Sequence, residues 1–132
     1  MDSTPLFRTV LTRIGPDAAD LIGDGILILF DQSAPPELAE VSVLHDRAGA
    51  VGRAPLPGDW LHIGSEAVRI TAVGESAWQK VLDLGHVVFS FNGAGAASRP
   101  GEICVDAVEP GRLLPLLVPG ALLEVRAGDA AP

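Results

Sequence analysis

Gly25-Ile26-Leu27-Ile28-Leu29-Phe30 is the stretch of sequence on which the fold most depends. The five apolar residues that follow the glycine are too few for a helix of this hydrophobicity. An uninterrupted apolar run of this length is typical of a strand that is covered on both faces. The sequence therefore predicts a β-strand over Ile26–Phe30 with neighbours on both sides.

Alternating residues predict further short strands on both sides of this run. Leu6–Ile14 alternates before it, and Val41–His45 alternates after a loop that contains Pro35 and Pro36. The other predicted strands are Trp60–Ile63, Ala67–Val73, His86–Phe91, Glu102–Val108 and Leu122–Arg126. The count is six to eight short strands, and any pairing within the proline-containing stretch Val51–Gly58 is expected to be short or at an edge.

A single convincing helix is predicted over Ala77–Leu84. Ser76 is placed to cap it, Gln79 three residues later completes a capping box, and Gly85 supplies a left-handed stop. One or two helical turns are expected elsewhere, over Pro16–Ile22 and Pro36–Ala39.

Composition favours many short elements, because 15 Gly and 11 Pro make one residue in five of the 132. The pattern has no βαβ alternation and no repeat of fixed period. We therefore expect a mainly all-β fold, a small closed antiparallel-type barrel, since closure removes exposed strand edges. A two-sheet sandwich is the alternative. The length suits one domain, placed at 1–127, with a frayed tail over 128–132.

Charge and apolar runs exclude several classes of partner. A net charge of −8 with no basic run disfavours nucleic acid and anionic lipid and favours a basic protein partner. The longest apolar stretch, Leu113–Leu123, is interrupted by proline and glycine and is too short to span a bilayer. The start has no basic region of a secretory signal, and the single Cys104 excludes an internal disulfide. A cytoplasmic domain without membrane insertion is expected.

His45 is the main candidate for chemistry. It ends a predicted strand beside Asp46 and Arg47. We therefore expect the strand to fix its backbone rigidly while the tip of its ring is exposed. A neutral imidazole is a good nucleophile near pH 7, and the planar fork of arginine matches phosphate oxygens. The plain alternative is a strand-end histidine with no chemical role.

The other candidates have weaker chemical interpretations. His86 follows the helix stop, and we expect it to be half-buried and hydrogen-bonded or to line a pocket with His45. His62 is expected to be structural, and Cys104 a buried, inert thiol. Because no two histidines have helical metal-ligand spacing, we predict no metal, and no phosphate-binding or dinucleotide motif indicates a cofactor.

A series of short stretches matches a known family in order and spacing from about Val10 to Val125. The stretches are Thr12-Arg13-Ile14-Gly15, Ile26–Phe30 with Ala34-Pro35, Val43-Leu44-His45, Pro57-Gly58-Asp59, Ile70-Thr71-Ala72-Val73-Gly74, Leu84-Gly85-His86-Val87 and Phe91-Asn92-Gly93. In this series the sequence resembles the glucitol/sorbitol-specific IIA component of the bacterial phosphoenolpyruvate-dependent sugar phosphotransferase system.

The resemblance implies a barrel-like all-β fold and a phosphotransferase component that acts only with partner proteins. It implies that His45 accepts a phosphoryl group from the phosphocarrier protein HPr. His45 then passes the group to a cysteine of the IIB component, and the membrane IIC domain imports the hexitol. On the same grounds Nε2 is the reacting nitrogen and Nδ1 faces a backbone or carboxylate acceptor. His86 matches a second family histidine and is a candidate neighbour of the site.

Some residues depart from the family pattern. Asn92 replaces the usual Asp, Val68 stands where an aromatic residue is common, and Asp46-Arg47-Ala48 follows the histidine where sequences vary. These departures leave the nucleophile in place and bear on the sugar and the partners. Four alternatives stay open: a regulatory protein not coupled to transport, a small-ligand-binding barrel, an adaptor that binds by strand addition near Val51–Pro57, and a metalloenzyme.

Overall fold

The computed structural model describes residues 5–47 and 52–128, and within them eight strands close into a barrel. The strands are β1 (Phe7–Ile14), β2 (Ile26–Asp31), β3 (Val43–Arg47), β4 (Trp60–Ile63), β5 (Glu66–Val73), β6 (Val87–Phe91), β7 (Glu102–Val105) and β8 (Leu122–Arg126). The helices are α1 (Ala18–Gly23), α2 (Pro36–Ala39), α3 (Ala77–Leu84) and α4 (Pro110–Leu113), the last followed by a 3₁₀ turn over Leu114–Leu116. No helix in these described ranges is long and apolar enough to cross a membrane.

The ring order is β1-β3-β2-β6-β7-β5-β4-β8, and β8 closes it by pairing with both β1 and β4. The pairs β2–β3 and β6–β7 are parallel and the others are antiparallel. The predicted all-β closed barrel is thus confirmed, and the sandwich alternative is wrong because the sheet returns on itself.

β2 lies where the apolar run predicted a strand. Leu27 and Leu29 point into the core and are almost completely buried. Phe30, on the outer face, is covered by the ring of His86 at a centroid distance of 4.7 Å. Burying each leucine stabilises the fold by about 1.5–3 kcal/mol.

Two similar halves build the barrel. In the unit β1–α1–β2–β3 the first strand pairs antiparallel with the last, and the last pairs parallel with the middle one. The unit β5–α3–β6–β7 repeats this pattern. The first strand of each unit also carries a register shift, at Thr12 in β1 and at Thr71 in β5. The halves join antiparallel through β2–β6 and β4–β8, which makes the whole ring pseudo-twofold symmetric.

Equivalent glycines mark the repeat. A Cβ on Gly15 would lie 2.2 Å from the carbonyl oxygen of Ala39, and one on Gly74 would lie 2.3 Å from that of Pro100. The repeat escapes a search for a fixed period because its spacing changes along the chain. Gly15 and Gly74 are one residue closer together than Gly25 and Gly85, the equivalent glycines that precede β2 and β6.

Several local predictions need correction. Ser76 makes no side-chain capping bond to α3, and Gln79 donates to Asp83 instead of completing a capping box. β7 ends at Val105, short of the predicted Val108. The frayed tail over 128–132 stays a prediction, and its first residue, Gly128, donates its backbone N–H to Asp59 over 2.7 Å. The rest of that tail lies outside the described residues.

Candidate functional site

His45 is the middle residue of β3, and its side chain is 1% exposed. The expectations of a strand end and of an exposed ring tip are both wrong. β3 continues to Arg47 because strands flank it on both sides, with Leu11 of β1 and Asp31 of β2 opposite His45. The side chain of Arg47 lies outside the described part of the structure, so its role beside the ring stays a prediction.

Thr9 of β1 holds one nitrogen of the His45 ring. Thr9 lies opposite Arg47, two residues along β3 from His45, so the two side chains are diagonal neighbours on the inner face. The distance from Thr9 Oγ1 to His45 Nδ1 is 2.6 Å, and the Thr9 hydroxyl donates to the carbonyl oxygen of Asp46 over 2.8 Å. The predicted backbone or carboxylate partner of Nδ1 is therefore a threonine hydroxyl, itself tied to a backbone carbonyl.

The end of α3 holds the other ring nitrogen. Nε2 of His45 lies 2.7 Å from the carbonyl oxygen of Gly85. Gly85 stops α3 with φ of +64°, a left-handed conformation that glycine adopts without a Cβ penalty. Phe7 of β1 connects the ring to this helix, because it makes an edge contact with His45 at 6.2 Å and another with Trp78 of α3 at 5.6 Å.

The hydrogens on these groups can be counted. The Gly85 carbonyl only accepts, so Nε2 carries a hydrogen in this arrangement. When the single Thr9 hydroxyl hydrogen goes to Asp46, Oγ1 is left to accept a hydrogen from Nδ1. A ring protonated on both nitrogens therefore satisfies the contacts Nδ1–Thr9, Thr9–Asp46 and Nε2–Gly85 together. In a neutral ring with its hydrogen on Nε2, Nδ1 instead accepts the Thr9 hydrogen, which is then not donated to Asp46.

His86 lies on the other side of Gly85, at the surface. Its half-buried ring stacks on Phe30 and faces a cavity of about 380 Å³. Burial lowers the pKa of His86, and the positive charge of Lys80 lowers it further. The cavity is lined by Lys80, His86, Val88, Arg99, Pro100, Gly101 and Glu102. His45 is not among these residues, so Gly85 joins the two histidines without placing them in one cavity.

The remaining candidates, His62 and Cys104, are not among the residues that line this cavity. His62 lies on β4, opposite Ala67 of β5 and Glu124 of β8. Cys104 is fully buried, and burial raises the pKa of its thiol, as predicted for an inert cysteine. In the described ranges, no group of three or more His, Cys, Asp or Glu residues could hold a metal ion.

Sequence reasoning missed Thr9 and the carbonyl of Gly85. A signal for Thr9 existed, because the alternation of β1 puts it on the same face as Phe7 and Leu11, where a hydroxyl requires a partner. The Gly85 carbonyl had no such signal, because a backbone acceptor has no side chain to read.

Comparison with solved structures shows that the barrel is a known fold. The crystal structure of a PTS system IIA component from Enterococcus faecalis V583 matches with a TM-score of 0.70 at 22% identity. The match covers 91% of this chain and 99% of that chain. At this identity the likeness shows the fold alone.

Sequence comparisons then define the family. The family described as PTS system glucitol/sorbitol-specific IIA component matches residues 6–116. Two curated relatives, from Shigella flexneri and Escherichia coli strain K12, carry the name PTS system glucitol/sorbitol-specific EIIA component. Each is 35% identical over 116 residues, which cover 84% of this chain and 94% of the relative. The chain belongs to the glucitol/sorbitol-specific IIA component family.

Proposed function

We propose that this protein is a phosphocarrier that accepts a phosphoryl group from HPr on Nε2 of His45. It passes the group to a cysteine of a IIB component for glucitol/sorbitol uptake through IIC. The observation that carries the proposal is a histidine held at both ring nitrogens, in a chain of this family. The cytoplasm, where these partners act, is the proposed location.

The chemistry required is modest. A relay between imidazole nitrogen and cysteine sulfur needs one oriented nucleophile and access for two successive partners. The net charge of −8 suits partners that present a basic face around their own reacting group.

Phosphoryl transfer requires the contact between His45 and the Gly85 carbonyl to open. The lone pair of Nε2 can attack phosphorus only after the contact with the Gly85 carbonyl is broken, because that oxygen occupies the line of approach at 2.7 Å. In this proposal the end of α3 shifts while a partner is bound, and the arrangement with the Gly85 contact intact is the closed form of the carrier.

His86 is the second candidate acceptor. Its ring is more exposed than that of His45, and Lys80 and Arg99 line the same cavity with charges that suit phosphoryl oxygens. We assign His86 as a neighbour that contacts the incoming phosphoryl group, with His45 as the acceptor. Replacing each histidine in turn with glutamine separates the two assignments.

The test is the intact mass of the protein after incubation with phosphoenolpyruvate, enzyme I and HPr at mildly alkaline pH. The wild type should gain one acid-labile phosphoryl group, and His45→Gln should gain none while it keeps a cooperative unfolding transition. His86→Gln should still gain the group, and His62→Gln is the matched control on β4. A phosphoryl group retained in His45→Gln and lost in His86→Gln would transfer the acceptor role to His86.

The open alternatives make different predictions in this assay. A small-ligand barrel takes up no phosphoryl group at all. A regulatory member is phosphorylated on His45 but passes nothing to a IIB cysteine. Strand addition has no unpaired edge to use within the described strands, since the ring is closed, although Val51 lies outside them.

A further inference from the structure

The pair Thr9 and His45 is the polar exception in a repeated apolar arrangement. The pairing of Leu11 with His45 in one half corresponds to the pairing of Ile70 with Val105 in the other. By the same correspondence Val68 is the counterpart of Thr9. The side chains of both pairs, Thr9 with His45 and Val68 with Val105, are buried at 6% exposure or less. The same backbone therefore accommodates a valine pair, and packing alone does not call for the hydroxyl.

A buried hydroxyl is destabilising unless its hydrogen bonds are complete. The hydroxyl of Thr9 has such partners, because its oxygen lies within hydrogen-bond distance of both His45 Nδ1 and the Asp46 carbonyl. With its hydrogen directed to Asp46, the hydroxyl can only accept from the ring.

We propose that Thr9 is the positioning residue that keeps a hydrogen on Nδ1 of His45 and so places the reactive lone pair on Nε2. The inference rests on the proposed function, because it assumes that Nε2 is the nitrogen that takes the phosphoryl group. Thr9 does not touch the phosphoryl group and acts through the ring alone.

The transfer step balances in hydrogens and electrons. As α3 shifts, the hydrogen on Nε2 passes to solvent water, which leaves the doubly protonated ring neutral with its remaining hydrogen on Nδ1. The freed Nε2 lone pair then forms the N–P bond. The N–P bond of the donor phosphohistidine breaks, and its electron pair returns to the donor ring, which carries a hydrogen on its other nitrogen and leaves as neutral imidazole. The His45 ring keeps its Nδ1 hydrogen and gains a positive charge, which Thr9 Oγ1 stabilises by accepting that hydrogen.

Thr9→Val and Thr9→Ser test the inference in the full-length protein. Thr9→Val removes the hydroxyl with little change of volume, and Val68 shows that valine fits the equivalent position. We expect the initial rate of phosphoryl acceptance from phosphorylated HPr to fall about 10- to 100-fold in Thr9→Val. Thr9→Ser should restore most of the rate. Thr12→Val is the matched control, because it removes a buried hydroxyl of β1 that has no partner in the described residues.

Nitrogen-15 NMR of His45 adds a measurement that a packing role would not change. In the phosphorylated wild type, Nδ1 should carry a hydrogen that is lost at a higher pH than in phosphorylated Thr9→Val. In the unphosphorylated protein, the Nδ1 signal should differ between Thr9→Val and wild type and be restored in Thr9→Ser.

Failure of this inference can be told from failure of the proposed function. If the wild type takes up no phosphoryl group on His45, the proposed function fails, and the unphosphorylated spectra still report whether Thr9 controls Nδ1. If the wild type is phosphorylated on His45 and Thr9→Val matches it in rate and in the Nδ1 signals, Thr9 is not a positioning residue.

Discussion

At the scale of the residue, the imidazole of His45 depends on partners from distant parts of the chain. Thr9 lies 36 positions away in sequence and Gly85 lies 40 positions away, and each supplies one atom to one ring nitrogen. Leaving a buried nitrogen without its partner costs about 1–3 kcal/mol. The ring is therefore held in one orientation, as the proposed role of a relay nucleophile requires.

The surroundings of His86 lower its pKa, through burial and through the positive charge of Lys80. Removing the positive charge of Lys80 in Lys80→Gln should raise the pKa of His86 towards its ordinary value. The rise should be partial, because burial is the larger cause of the lowered pKa and is unchanged by the substitution. An NMR titration of the His86 ring protons measures the change. Arg112→Gln removes a cation that pairs with Glu66 and should leave the titration as it is. An unchanged titration in Lys80→Gln would show that the lysine charge does not reach the ring.

At the scale of the element, α3 contributes a backbone acceptor to the candidate site. Its Trp78 and Val81 are buried, and the residue that ends it, Gly85, places its carbonyl oxygen against His45 Nε2. The left-handed glycine fixes where that carbonyl points, so the stop of the helix is also a part of the site.

Gly85→Ala tests this role of the helix stop. Alanine at φ of +64° should lower the free energy of unfolding by about 1–2 kcal/mol, measured by urea denaturation. The variant should also weaken the contact to Nε2, visible as a changed His45 nitrogen signal. Gly95→Ala is the control, since its Cβ would meet no atom within 4 Å. Equal stability of the two variants would mean that the left-handed turn is not strained by a side chain.

Local signals predicted elements better than they predicted contacts. The apolar run Ile26–Phe30 and the turn Pro36–Ala39 needed only hydrophobicity and proline position, and both are confirmed. The strand of His45 lies at Val43–Arg47, two residues later than predicted, because its continuation to Arg47 depends on pairing with β1 and β2. The Thr9 and Gly85 contacts to His45 depend on the closed ring, which periodicity does not describe.

At the scale of the whole molecule, two similar halves form one ring with one site. The half that holds Thr9 and His45 receives its third partner, Gly85, from the other half. The equivalent place beside Val105 is apolar. The repeated arrangement therefore builds the scaffold, and the polar departure from it lies at the candidate site.

The repeat predicts matched effects at its two tight glycines. Gly15→Ala and Gly74→Ala should each lower the free energy of unfolding by more than about 2 kcal/mol, because each Cβ would meet a backbone carbonyl that a rotamer change cannot move. Gly23→Ala, whose Cβ has open space, should be neutral or stabilising. Chemical denaturation of the three variants measures this. A small effect at only one of the tight positions would show that the halves are not packed alike.

Phosphorus–nitrogen correlation NMR of the phosphorylated wild type shows which ring nitrogen carries the phosphoryl group. We expect a single phosphorus signal coupled to Nε2 of His45, with a hydrogen on Nδ1 of the same ring. Coupling to a nitrogen of His86, or to Nδ1 of His45, would overturn the assignment of Nε2 of His45 as the acceptor.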